Sequence, residues 1–198
     1  MKVPIKHLLL LSIIFVVTTS CKRNNLNEDE KWLNFYSLKE RDFRQVARIK
    51  KENLDWGTYN LTNEYKKLYD TLYFYSPDST YFLDLDSYNI ILDHDSNGNL
   101  IWSVGDPEDK VELVRTKDLS ATTLLFFGTN GFAETAIWKN NYQFEVFGFK
   151  IEDNSFIPTI WKYDLQENIS KEFESKKTLN TRKKNYSEEV RLKSIKRK

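Results

Sequence analysis

Apolar and polar positions change rhythm several times along the chain. Leu8 to Val17 form an apolar run broken only by Ser12. It is about ten residues, about 15 Å as a helix against roughly 30 Å of hydrocarbon, so it is too short to span a bilayer stably. Residues 22–30 are polar and carry no period. From 31 to 72 the spacing is helical in parts. Ser37 with Glu40 matches a capping box, and Phe43, Val46, Ala47 and the stem of Lys50 then fall on one helical face. Leu61, Tyr65, Leu68, Tyr69 and Leu72 make a second stripe, with Trp56-Gly57 as the break between the two.

From Thr71 the period becomes two. Tyr81, Leu83 and Leu85 alternate with Phe82, Asp84 and Asp86. Asn97-Gly98 separates Asn89–Leu92 from Leu100–Trp102, a pattern that predicts a hairpin because both turn residues tolerate positive φ. Further strands are predicted at 110–115, 122–127, 134–138, 142–149 and 157–164. Phe144 and Val146 point to one face of the 142–149 strand while Phe147 and Phe149 point to the other. A strand apolar on both faces is covered on both, which predicts a central position. Leu165, Ile169 and Phe173 suggest a short helix, and the basic chain beyond Lys176 a frayed helix or tail. The fold class expected is α+β: an N-terminal helical segment followed by one antiparallel β-sheet or sandwich domain. The segments are 1–20 signal, 21–30 tether, 31–72 helical, 73–165 β domain and 166–198 charged helix or tail.

Lys2 and Lys6, the apolar run and Thr18-Thr19-Ser20 before Cys21 have the parts of a secretory signal. The segment resembles the lipobox of bacterial lipoproteins, in its looser Bacteroidota form. That resemblance implies cleavage before Cys21, a diacylglyceryl group on its sulfur and an N-terminal acyl chain. Two or three chains hold a protein on a membrane where one does not. The implied address is the cell envelope, on the outer membrane, facing the periplasm or the surface. The acidic Glu28-Asp29-Glu30 run is similar to signals that send such proteins to the surface.

Composition narrows the chemistry. Two of the 30 basic residues lie in the signal, leaving 28 against 29 acidic, so no global charge favours nucleic acid. Cys21 is the single cysteine. Once acylated, it leaves no disulfide and no thiol nucleophile. His94 is the one histidine beyond the signal, which removes Cys/His zinc sites and two-histidine motifs. No Walker loop, G-x-G-x-x-G or G-x-S-x-G occurs.

Ser76-Pro77-Asp78, Ile137–Asn141 with Phe144, and Thr159–Asp164 resemble strands of TolB-like β-propeller blades over about residues 76–165. Ser79 stands where that motif usually has glycine. A propeller needs at least four blades of about 40–45 residues, and this segment has room for about two, so a sheet or sandwich is expected.

Several candidate sites follow. Asp93, Asp95, Asn97 and Asn99 around Gly98 are spaced like the first half of a calcium loop, but Val104 stands where such a loop has its bidentate Glu; the same residues make a polar hairpin turn. Asp84 and Asp86, about 7 Å apart on one strand face, have the pairing of glycoside hydrolases. Trp102, Trp138, Trp161 and Tyr163 make either core or a platform for sugar or peptide. Gly128–Glu134 is a turn that could edge a binding site. The leading expectation is a membrane-anchored envelope protein, a non-enzymatic binding or assembly module for an envelope protein or glycan. The alternative is a carboxylate-dependent hydrolase acting on glycans.

Overall fold

Antiparallel sheets dominate the computed structural model, which describes residues 27–59, 62–181 and 185–198. Cys21, the signal and most of the tether lie outside the described residues, as do Leu61 and the side chain of Tyr65. Helix α1 (Glu28–Phe35) precedes strands β1 (Phe43–Lys50) and β2 (Gly57–Thr58). Helix α2 (Asn63–Tyr69) leads into β3 (Phe74–Tyr75) and β4 (Tyr81–Asp84). A hairpin of β5 (Ile90–His94) and β6 (Leu100–Val104) follows. Then come β7 (Asp109–Arg115), β8 (Ser120–Gly128), β9 (Gly131–Trp138), β10 (Gln143–Glu152), β11 (Ser155–Asp164) and β12 (Ile169–Ser175). A π-helical turn at Ser187–Arg191 and the short β13 (Lys196–Arg197) come last.

Two five-stranded sheets form a sandwich. One runs β1-β12-β11-β10-β9 and the other β2-β8-β7-β4-β3. Leu83, Leu113, Phe144, Val146 and Trp161 meet between them. The third sheet, β13-β6-β5, pairs β13 parallel to β6. It lies with α2 over the outer face of the second sheet, where Tyr69, Leu92, Trp102 and Leu192 cover Phe82 and Val114. Helix α1 covers the outer face of the first sheet, placing Trp32 and Leu33 against Phe147, Phe149 and Ile160. The strand at 142–149 is therefore interior, and its two apolar faces feed two different cores. Each fully buried phenylalanine there contributes about 1.5–3 kcal/mol.

One irregularity positions a functional group. Between Phe147 and Gly148 of β10 the register on β9 skips Glu134, so Glu134 is the extra residue of a β-bulge. A bulge re-aims its side chain. Here it turns a fully buried carboxylate into the aromatic cluster under α1, where Trp32 Nε1 donates to it at 2.8 Å and Tyr36 Oη at 2.9 Å. Gly148 opposite is required: a Cβ there would lie 2.1 Å from the Phe132 carbonyl oxygen.

Four expectations need correction. Residues 43–50 form strand β1, not a helix. Phe43, Val46 and Ala47 fit a helical face, but Phe43 and Ala47 equally fit a strand face, and pairing with β12 decides between them. Ser37 has φ of +56° and follows the end of α1 instead of starting a helix. Residues 169–175 are strand β12, not a short helix, because β11 and β1 offer an edge on either side. The C-terminal chain is built into the fold where it is described: Tyr186 and Leu192 are buried, and Lys198 N donates to the Trp102 carbonyl at 2.8 Å.

Candidate functional site: an acid-lined cleft

Asp84 starts the site by ending β4. Its Oδ1 accepts from the amides of Asp86 (3.1 Å) and Ser87 (3.0 Å), a side chain-to-backbone turn that stops the strand. Its Oδ2 accepts from Tyr59 Oη at 2.6 Å and from Ser87 Oγ. Tyr59 Oη also lies 3.0 Å from Tyr73 Oη. Burial, then the neighbouring Asp84 charge, push the Tyr59 phenol far above its ordinary pKa, so it stays a donor.

The turn carries Asp86 to Arg191. The guanidinium holds both Asp86 oxygens, and both side chains are nearly fully buried. Arg191 Nη1 also donates to the Glu134 carbonyl at 2.7 Å, and its Cζ lies 4.7 Å from the Phe74 ring centre. Ser187 Oγ donates to the same carbonyl at 3.1 Å. The Tyr186 amide donates to Glu134 Oε1 at 3.2 Å, and Tyr186 Oη donates to Glu28 at 2.6 Å. The π-helical turn is thus clamped onto the β9 bulge and the end of β4.

That clamp roofs a cleft of about 250 Å³. Its polar lining includes Asp86, Asn89, Asp106, Asp109 and Glu188 beside Thr129, Asn185 and Ser187, and its apolar walls include Trp102, Phe132 and Leu192. Asp109 opens β7 and is 2 % exposed. Its Oδ2 accepts from the Ala133 amide at 2.9 Å, while Oδ1 has no hydrogen-bond partner. Asn89 Oδ1, on the same cleft, has none either. Burial pushes the Asp109 carboxyl up to about 8; the Ala133 amide opposes that rise and the Asp86 charge adds to it. Burial also raises Asp86, with Arg191 pulling the other way. A buried polar atom without a partner costs about 1–3 kcal/mol and is rare in native structures.

The residues singled out in the sequence fare differently. Asp84 and Asp86 are both buried, and each carboxylate is engaged by protein donors, so they are not a free pair facing a substrate. At the hairpin, Asp95 Oδ1 accepts from the amides of Asn97 and Asn99, each at 2.9 Å. Asp95 Oδ2 accepts from Asn99 Nδ2, and Asp93 caps the His94 amide at 2.8 Å. Gly98 alone has positive φ (+79°), which makes a type I turn followed by a glycine bulge instead of the two-residue turn expected. This arrangement supports the turn reading, and the described residues contain no group of three or more His, Cys, Asp or Glu set to hold a metal. Trp102 and Trp161 are core. Trp138 donates to the Phe74 carbonyl, and Tyr163 stacks on Phe144 at 4.9 Å. The Gly128–Glu134 turn does edge the cleft, through Thr129, Gly131 and Phe132.

Asp109, Asn89, Arg191 and Glu134 carry no sequence signature. Asp109 precedes an ordinary apolar strand, and Arg191 sits in a stretch of surface-like charge. Only their placement by four separate parts of the fold joins them. No helix among the described residues is long and apolar enough to cross a membrane. The chain matches no protein-family model, no curated protein and no solved structure.

Proposed function

We propose that this is a lipid-anchored envelope protein that binds a small ligand in the Asp109 cleft and makes or breaks no bonds in it. The observation that carries the binding reading is Asp109 Oδ1, buried at the cleft without a hydrogen-bond partner. The anchor rests on the Lys2–Cys21 signal pattern. Glu28–Glu30, expected to end the tether, form the first turn of α1, and Glu28 is tied to Tyr186 of the cleft's roof segment.

Hydrolysis of glycans is the second reading, favoured by the burial of Asp109 beside the Asp86 carboxylate, which pushes the Asp109 carboxyl up to about 8. Inverting and retaining mechanisms both need a second carboxylate free to act on water or sugar. Arg191 occupies both oxygens of Asp86, which favours binding over catalysis.

Two measurements test the proposal. Labelling with a palmitate analogue should mark the wild type and not Cys21→Ala; equal label in both removes the anchor. A thermal-shift screen of a metabolite and glycan panel should give ligands whose shift disappears in Asp109→Asn. A panel in which every shift persists in that variant removes the cleft as the site.

A further inference from the structure

We propose that the cleft takes a primary alkylammonium group, with the ammonium on Asp109 Oδ1 and its stem along Trp102 and Phe132. This deepens the binding reading above and rests on it.

The donor–acceptor balance of the cleft sets the sign of the ligand. Its two buried side-chain atoms without a hydrogen-bond partner are Asp109 Oδ1 and Asn89 Oδ1, and both are acceptors once Asp109 has ionised. A ligand that satisfies them must bring donors. Four carboxylates line the space, on Asp86, Asp106, Asp109 and Glu188. Among the described residues two guanidiniums approach them, and each is already engaged: Arg191 with Asp86, and Arg197 with Glu188 at 2.9 Å. Asp106 caps the Glu108 amide at 3.0 Å. Asp109 is the one of the four with a buried oxygen that has no hydrogen-bond partner, although the Lys110 amide lies near enough to favour its ionised form. An ammonium carries three donors and a compensating charge, where a hydroxyl offers one donor and none of the charge.

The remaining lining suits the rest of such a molecule. Trp102, Phe132 and Leu192 are apolar surfaces for a methylene stem. The space of about 250 Å³ is large enough for a short methylene chain carrying one amine. A five-carbon diamine and the end of a lysine side chain each present such a chain.

The same chemistry makes binding depend on pH. An ammonium pairs with the ionised form of Asp109, so binding expels the proton that burial retains. Among the described residues, Asp86, Asp106, Glu188 and Arg191 are the charged groups set around it. Affinity should therefore rise about tenfold per pH unit from pH 6 toward pH 8, while the amine itself stays charged.

Calorimetry on the full chain tests this with three probes: 1,5-diaminopentane, Nα-acetyl-lysine methylamide and uncharged 1,5-pentanediol. The expected result is that an amine binds and the diol does not. Asp109→Asn should weaken the amine at least tenfold, and Asn89→Ala should weaken it several-fold. Circular dichroism of each variant separates lost binding from lost fold. The tighter amine distinguishes a free diamine from a lysyl group on a partner. Amine affinity unchanged in Asp109→Asn, equal across pH 6 to 8, or matched by the diol overturns the proposal. If the diol alone binds, and through Asp109, the ammonium assignment falls and the small-ligand reading stands. If none of the probes nor the metabolite panel binds, both fall.

Discussion

Replacing Asp109 with Asn should make the protein more stable, by an amount that grows with pH. The carboxyl sits near 3.8 in an ordinary setting and is pushed up to about 8 in the fold. Between those values the unfolded chain has released the proton and the folded chain still holds it. Wild-type stability therefore falls as pH rises, by about 1.4 kcal/mol for each pH unit in that window. Below about pH 4 both states are protonated and the effect vanishes; above about pH 8 it is complete. Asn keeps an oxygen for the Ala133 amide and has no proton to lose. Against wild type, the variant should gain nothing near pH 4 and about 4 kcal/mol at pH 7. Urea unfolding at pH 5, 6, 7 and 8 measures the gap directly. A constant offset from altered packing shifts every point equally, so the slope is the readout. Asp86 titrates in both proteins and largely cancels. A gap that stays flat from pH 5 to 8 would refute the reasoning, because Asp109 would then ionise alike in both states.

Other expected outcomes concern the frame around the cleft. Arg191→Met leaves Asp86 buried without its partner and removes a clamp on the β9 bulge; unfolding should show a loss of about 3–5 kcal/mol. Asp86→Leu combined with Arg191→Met should recover much of that loss, since it removes both charges. Gly148→Ala drives a Cβ onto the Phe132 carbonyl and should cost about 1–3 kcal/mol or more in the same assay. Calcium titrated calorimetrically into the protein should give no heat that Asp95→Ala removes, because the Asp95 oxygens already close their own turn.

The parts of the fold legible in the sequence are those where local pattern and tertiary context agree. β10 could be placed at the centre of a sheet because Phe144, Val146, Phe147 and Phe149 demand cover on two faces, and each face has it. The β5–β6 hairpin followed from Asn97-Gly98, although only Gly98 takes positive φ. β1 and β12 misled because eight- and seven-residue segments with apolar positions three or four apart fit either period. The strand state of β1 comes from pairing with β12 more than 100 residues away, and that of β12 from lying between β1 and the preceding β11. The C-terminal stretch read as polar because its anchors are few: Tyr186, Arg191 and Leu192 fix it, and each needs a partner from another element. The cleft was not legible for the same reason. Asp84 and Asp86 drew attention as a carboxylate pair, yet one terminates a strand and the other balances Arg191. Asp109, whose oxygen goes unsatisfied, stands in sequence as one acid among 29.

The Asp109 carboxyl itself is the most direct test of the account. Carbon-13 NMR of labelled aspartate, assigned by the resonance missing in Asp109→Asn, follows its protonation without reference to folding or to any ligand. The account expects a midpoint near 8 in the free protein, moving downward when 1,5-diaminopentane is added. A midpoint in the ordinary carboxylate range, unmoved by the diamine, would contradict it.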